Sequence, residues 1–357
     1  SYSSEVVLPK FNENRKRYLS EIGDKIRMDV KHFQKVITDF EHSGCDYTAD
    51  DVIAEFSSNN PENFLFPFME GVIANLKTLG KIRTSETYAA TLCSFRRFRE
   101  DKDVTLDDMD SDMMMAYEAY LKNNGVSPNS SSFYMRNLRA VYNRAVEKGL
   151  TSQRFPFKHV YTGVEKTVKR AVPLKVIKKI KEMDFSMNPS FDFARDMFLM
   201  SFYTRGMSFV DMAYLRKKDL QNGVLSYRRR KTGQQLFIKW EKCMQEIVDK
   251  YDTSQSNYLL PIIKPFGDID ERKQYIYAAH NINRCLKIIG KELGLSVSLT
   301  LYVARHAWAS IAKSKNVPLS VISEGMGHDS EATTRIYLAS LDTMAIDKAN
   351  SMILKSL

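Results

Sequence analysis

The sequence predicts a mainly α protein with a small β-sheet, all-helical in its first part and α+β in its second. Two observations carry that expectation. Apolar residues recur at helical spacing through most of the chain, while period-two alternation is confined to 224–230 and 235–240. At 357 residues the chain is long enough for two or three domains with a substantial core. Its 43% hydrophobic content is that of an ordinary globular protein.

Taken in order, 1–58 reads as helix, turn and helix, with Ile22, Ile26, Val30 and Phe33 at helical spacing. The polar run Ser57-Ser58-Asn59-Asn60-Pro61 punctuates the chain. From 62 to 162 the pattern is four or five helices. One has Tyr88, Leu92 and Phe95 on a single face, with Arg96, Arg97 and Arg99 mostly elsewhere. A second carries Met113, Tyr117, Tyr120 and Leu121, a stripe that reads as core. In a third, Tyr134, Leu138, Val141, Tyr142 and Ala145 point inward. Arg136, Arg139 and Asn143 then share its outer face, with donors suited to phosphates and base edges. A solvated polar face is the plainer alternative.

A basic linker occupies 163–172, where Lys169 and Arg170 are placed either to track a phosphate backbone or simply to tether two domains. Helices are expected at 174–183 and 190–203. A β-hairpin follows over 224–230 and 235–240, its turn Lys231-Thr232-Gly233-Gln234. Alternation puts Tyr227, Arg229 and Lys231 on one face, with Arg228 and Arg230 on the other. The remainder reads as helices at 242–252, 273–293, 303–315, 319–326, 331–340 and a tail at 342–355.

The formal charge is +10 and the isoelectric point about 9.2, which favours a polyanionic partner. No run of about 20 apolar residues suggests a membrane span, and 1–10 lacks the features of a secretory signal. Cys45, Cys93, Cys243 and Cys285 match neither a zinc pattern nor a disulfide framework and suit a reducing, cytoplasmic setting. Ser in place of Met at the first position points to a trimmed or processed chain. Neither a Walker-type glycine loop, nor GxGxxG, nor HExxH is present. The expected cofactor and metal complement is therefore none.

The chemistry-bearing segments lie late in the chain: Ala304-Arg305-His306-Ala307-Trp308-Ala309 at a helix start, then Gly325-Met326-Gly327-His328-Asp329-Ser330, then Thr333-Thr334-Arg335-Ile336-Tyr337. Arg, His and Tyr in this order, with His328 nine positions before Tyr337, resemble the signature of the tyrosine recombinase (integrase) family. Thr204-Arg205-Gly206-Met207-Ser208-Phe209-Val210-Asp211, with Leu215 and Asp219, resembles that family's first box. The hairpin with Lys231 at its turn is similar to the one carrying the family's catalytic lysine. The likeness spans about 170–357, and 62–162 resembles the family's helical core-binding (SAM-like) domain. In style the boxes are nearest to integrases of Bacteroides-type mobile elements.

The resemblance implies a core-binding domain and an α+β catalytic domain, 173–357, forming a clamp around double-stranded DNA. It makes 1–58 a remnant of an arm-binding domain. It implies a homotetramer on paired recombination sites, docked through the helix at 342–357. Tyr337 would attack a phosphodiester to give a 3′-phosphotyrosyl link, Arg305 would hold non-bridging oxygens, His328 would donate to phosphate or assist proton removal, and Lys231 would protonate the departing 5′-hydroxyl. That division suits the electrophile, because a phosphodiester repels nucleophiles until cations surround its oxygens, and a guanidinium offers a planar fork to two of them. Arg228, Arg229, Arg230 and His306 are expected at the DNA. The link preserves the energy of the phosphodiester, so rejoining requires neither ATP nor metal.

Two positions depart from the pattern. Ser208 stands where the first catalytic arginine is normal, so another cation should compensate. Arg205, three residues upstream, is the favoured candidate, and Arg229 the rival. Tyr302 stands where many relatives have histidine, and its hydroxyl retains hydrogen-bonding capacity. A strand-swivelling enzyme of type IB topoisomerase kind and a DNA-binding regulator with a weakened site remain as alternatives.

Overall fold

The computed structural model describes residues 13–44, 46–58, 63–165, 171–264, 269–338 and 350–355. It divides into two compact units, between Lys166 and Thr167.

In the first unit, α1 (Glu13–Ser43) and α2 (Ala49–Ser58) pair. Val36 and Val52 are buried and the Phe33 ring meets Phe56 edge-on at 5.2 Å. The expected stripe of Ile22, Ile26 and Val30 stays exposed. Helical spacing identified the helix but not what covers it. Four further helices follow: α3 (Leu65–Thr78), α4 (Ile82–Arg99), α5 (Ser111–Asn123) and α6 (Pro128–Glu147). Asp110 caps α5 by accepting from the Met113 N–H at 2.8 Å. Proline opens α6, where no intrahelical donor is required. Phe95, Tyr117, Leu138 and Tyr142 are fully enclosed. Tyr117 keeps its polar end satisfied by donating to Ser94 Oγ at 2.8 Å.

The second unit is built around α8 (Pro189–Tyr203), which α11 (Glu271–Glu292) and α12 (Leu301–Ser314) cover, with α7 (Leu174–Glu182) and α10 (Lys242–Asp249) beside it. A short α9 (Phe209–Ala213) leads to a three-stranded antiparallel sheet of order β1 (Leu220–Gln221), β2 (Val224–Arg228), β3 (Gln235–Lys239). The fold class is thus mainly α with a small sheet. The two-residue β1 was not anticipated, being too short to show a period. Leu225 pairs with Ile238 and Tyr227 with Leu236, all buried, while Phe237 between them faces out. Then come α13 (Leu319–Gly325) and α14, described over Glu331–Leu338, and 350–354 are again helical. Ala309, Ile322, Met326 and Leu338 form a small hydrophobic cluster of their own, apart from the main core. Most of the expected tail helix lies outside the described residues. Among the described residues, no helix is long and apolar enough to cross a membrane.

One buried carboxylate ties α8 to α10. Asp196, 2% exposed, accepts from Arg195 Nε at 3.0 Å and Nη2 at 2.9 Å, from the Tyr251 hydroxyl at 2.8 Å, and from Lys250. Removing the acceptor leaves Arg195 with only Asp192 and the Met183 carbonyl, and deprives Arg195 Nε and the Tyr251 hydroxyl of their acceptor. Asp196→Ala should lower the urea unfolding free energy by about 3 kcal/mol. A loss under about 1 kcal/mol, the value of an exposed pair, would show the network to be dispensable.

Candidate active site

α12 turns Leu301, Val303, Ala304 and Ala307 into the unit's core and, one turn in, buries Arg305 at 4% exposure. A buried guanidinium requires partners. Arg305 Nη1 donates to the Gly206 carbonyl at 2.6 Å, and Nη2 to the Met326 carbonyl at 2.7 Å. Nη2 also lies 3.0 Å from His328 Nε2. Two separate turns, the one after α8 and the one between α13 and α14, thus converge on one side chain.

The first is the turn after α8. The Gly206 N–H donates to Ser201 O at 2.8 Å, and Thr204 Oγ1 to Met200 O at 2.6 Å. Gly206 takes φ +74°, and a Cβ placed on it would stand 2.7 Å from Arg305 Cα. Only glycine satisfies both the backbone angle and the approach. Ser208 does not face this centre. It caps α9, accepting from the Asp211 N–H, and its hydroxyl donates to Asp211 Oδ2 at 2.6 Å. The buried Asp211 in turn accepts from the Arg230 N–H at 2.9 Å and so ties the box to the hairpin.

The hairpin follows the expected alternation: Tyr227 and Arg229 are buried, Arg228 and Arg230 exposed. Arg229 reaches the Gly327 carbonyl through Nη1, and Thr232 Oγ1 shares that acceptor at 3.4 Å. Arg229 Nε is buried with no hydrogen-bond partner. Arg228 turns back to the Gly233 carbonyl at 2.8 Å, and Arg230 stacks on Tyr214, 3.7 Å from the ring centroid. Lys231 is exposed at the turn. Arg205, at φ +60°, lies instead beside the end of α13: its Cδ is 3.6 Å from where a Gly325 Cβ would sit, with Trp308 adjoining. Burial, then Asp211, push the pKa of the Tyr227 hydroxyl well above its ordinary value, although Arg305, Arg229 and Arg205 pull it down.

His328 sits half-buried between these cations. Arginine only donates, so Nε2 accepts; Nδ1 then carries the proton and donates to the buried Thr334 Oγ1 at 2.7 Å. Burial, followed by Arg305, Arg229 and Lys231, lowers the ring to about 4. Thr334 on α14 was not singled out by sequence reasoning; its signal was its place three residues before Tyr337. Tyr337 belongs to α14, but its side chain lies outside the described residues, as do Lys169 and Arg170.

Two expectations change. His306 is 7% exposed, its ring edge-on to Tyr302 at 4.7 Å, so it backs Tyr302 from within and does not present itself to DNA. Tyr302 itself is exposed. Arg136, Arg139 and Asn143 belong to the first unit. Arg139 and Asn143 are exposed there, while Arg136 is half-buried, its Nε directed to Ser132 O at 3.3 Å. Among the described residues, no cluster of three or more His, Cys, Asp or Glu could hold a metal ion.

A model of the phage integrase SAM-like domain matches 64–160, and one of the phage integrase family matches 174–344. No curated protein matches the chain significantly. Among solved structures it is similar to a lambda integrase dimer bound to a COC' core site (TM-score 0.61, 16% identity, covering 90% of this chain and 87% of that one). A lambda integrase tetramer bound to a Holliday junction is similar at TM-score 0.59 and 16% identity, covering 82% of each chain. The Tn1549 transposon integrase in complex with a circular intermediate DNA gives 0.54 at 15% identity, covering 76% and 94%. At these identities the likeness is one of fold.

Two outcomes follow from the geometry. Gly206→Ala should displace Arg305 and raise the His328 titration midpoint, because the cation on Nε2 retreats; an unchanged midpoint with normal folding would refute the tight contact. In the wild type, NMR of the ring should show His328 neutral from pH 8 to 5, titrating near 4. The unfolded chain binds that proton near pH 6.5, so the stability contribution of this ring is complete above 6.5 and declines as pH falls towards 4. A midpoint above 6 would mean that neither burial nor the cations govern it.

Proposed function

We propose a division of labour among these residues from one premise: the chain belongs to the tyrosine recombinase (phage integrase) family and is a tyrosine site-specific recombinase. The observation that carries the proposal is the convergence of Arg305 and Arg229 on the adjacent Met326 and Gly327 carbonyls, in the turn that delivers His328. Carbonyl oxygens carry partial negative charge, and here they engage donors suited to the oxygens of a phosphodiester.

In this reading Tyr337 Oη attacks the phosphorus. The Oη–P bond forms as the P–O5′ bond breaks, and Lys231 gives a proton to the departing 5′-oxygen. Arg305 turns its fork to the non-bridging oxygens. Arrival of the phosphate offsets the surrounding cations and raises the basicity of His328, whose Nε2 then accepts the tyrosine proton or, once protonated, donates to phosphate. Rejoining runs the same steps backwards.

For the cation missing at Ser208, Arg229 is favoured over Arg205. Its buried guanidinium shares the centre with His328 and keeps an unused Nε, whereas the Arg205 stem lies beside Gly325 and Trp308. The style of the sequence boxes is what suggests the Bacteroides-type branch. Tyr302, backed by His306, supplies a hydroxyl at the surface. Arg139, Asn143, Arg228 and Arg230, with Arg136 at the edge of the same α6 face and Lys169 and Arg170 in the linker, make up the DNA-binding surface. We assign 62–162 to core binding and 173–357 to catalysis, the two clamping DNA in the cytoplasm. The tetrameric lambda integrase complex supports a homotetramer on paired sites, docked through 342–357.

A nicked suicide duplex traps the covalent adduct and tests these roles. Tyr337→Phe should bind the duplex and form no adduct. Arg229→Ala should slow adduct formation about 10²–10³-fold, and Arg205→Ala no more than substitution of a surface lysine. The reverse order would return the role to Arg205, and an adduct in Tyr337→Phe would sink the nucleophile assignment.

A further inference from the structure

The first unit holds a feature that strand transfer does not use. Phe155 is 65% exposed, and its backbone sits at φ +53°, a region that bulky side chains rarely enter. Neighbours hold it there. The Phe155 N–H donates to Gln153 Oε1 at 3.0 Å, and the Lys158 N–H donates to the Phe155 carbonyl at 3.1 Å. Gln153 Nε2 donates to Asn143 Oδ1 at 3.2 Å. Arg154 is anchored on the Asp107 carbonyl at 2.9 Å. An aromatic ring locked outward into water is preorganised for a partner. Beside it, Arg139, Asn143, Gln153, Phe157 and Lys158 help to line an open concavity of about 530 Å³.

The floor is apolar and the rim basic, and that combination selects the occupant. A purely apolar protein surface would leave Arg139 and Lys158 facing nothing. Duplex DNA satisfies both parts: phosphates meet the two cations, and the thymine C5-methyl is the apolar group that base edges offer in the major groove. Asn143 spends one Oδ1 lone pair on Gln153 and retains its second lone pair and its amide donors, the set that pairs with the N6 and N7 of adenine.

We propose that Phe155 is a specificity-determining residue that seats a thymine C5-methyl in the major groove, with Asn143 on an adenine edge of the same step and Arg139 and Lys158 on the flanking phosphates. This rests on the reading of duplex DNA as the substrate and goes beyond it by naming which bases are read, and by which side chains.

The test uses the full chain. Duplexes selected from a randomised library on the wild type are resynthesised with each thymine replaced in turn by uracil, which lacks only the methyl. At one or two positions the wild type should lose about three- to fivefold in affinity. Phe155→Ala should bind the thymine and uracil forms of those positions alike, while Phe155→Leu keeps part of the difference. An unchanged melting temperature confirms that both variants fold. A wild-type uracil profile retained by Phe155→Ala overturns the inference alone, as does equal weakening on every duplex, which would assign the ring to a protein contact. Absence of any duplex binding by the wild type overturns both this inference and the recombinase reading.

Discussion

Burying the charge of Arg305 is the constraint around which the second unit is arranged. A guanidinium taken out of water must find acceptors in fixed directions, and the chain supplies them from the turn after α8 and from the turn between α13 and α14. The two turns are thereby placed with respect to each other. Backbone carbonyls suit this task better than a carboxylate would. They orient the fork without holding it in an ion pair that an arriving phosphate would have to break. The two turns around the guanidinium are thus held in place by hydrogen bonds and not by an ion pair.

The hairpin is joined to the same centre by a second buried group. Asp211 takes a hydrogen bond from Ser208 at one oxygen and from the Arg230 backbone at the other. The serine is therefore committed to starting α9 and to holding the carboxylate that fixes the hairpin. An arginine at that position would cap α9 poorly. Arg229, just beyond the end of β2, is buried and reaches the Gly327 carbonyl next to His328, so the hairpin brings positive charge to the same turn.

What the sequence made legible was local and periodic. Alternation along 224–230 separated buried Arg229 from exposed Arg228 and Arg230, and the expected bounds of α7, α8 and α10 to α13 came within a few residues of those observed, whereas the five-residue α9 was not anticipated. The order of Arg305, His328 and Tyr337 pointed to the integrase family, whose model matches 174–344. What escaped was whatever depends on chain segments meeting from afar. The carbonyl acceptors of Arg305 lie 99 and 21 residues away, and no pattern in residue type marks a backbone oxygen as a ligand. The orientation of Arg205 and the enclosure of His306 were missed for the same reason, since each is decided by what packs across it. Phe155, between Arg154 and Pro156, would pass in a sequence as one more core aromatic; its left-handed backbone is what turns it outward.

The small cluster of Ala309, Ile322, Met326 and Leu338 has a mechanical consequence. Because α14 seals this satellite cluster and not the main core, it is coupled to the rest of the unit by a narrow apolar seam and the His328–Thr334 hydrogen bond. Such a seam opens at a fraction of the cost of global unfolding. The helix that carries Tyr337 can therefore undock without opening the main core, and the His328 imidazole is part of what holds it closed.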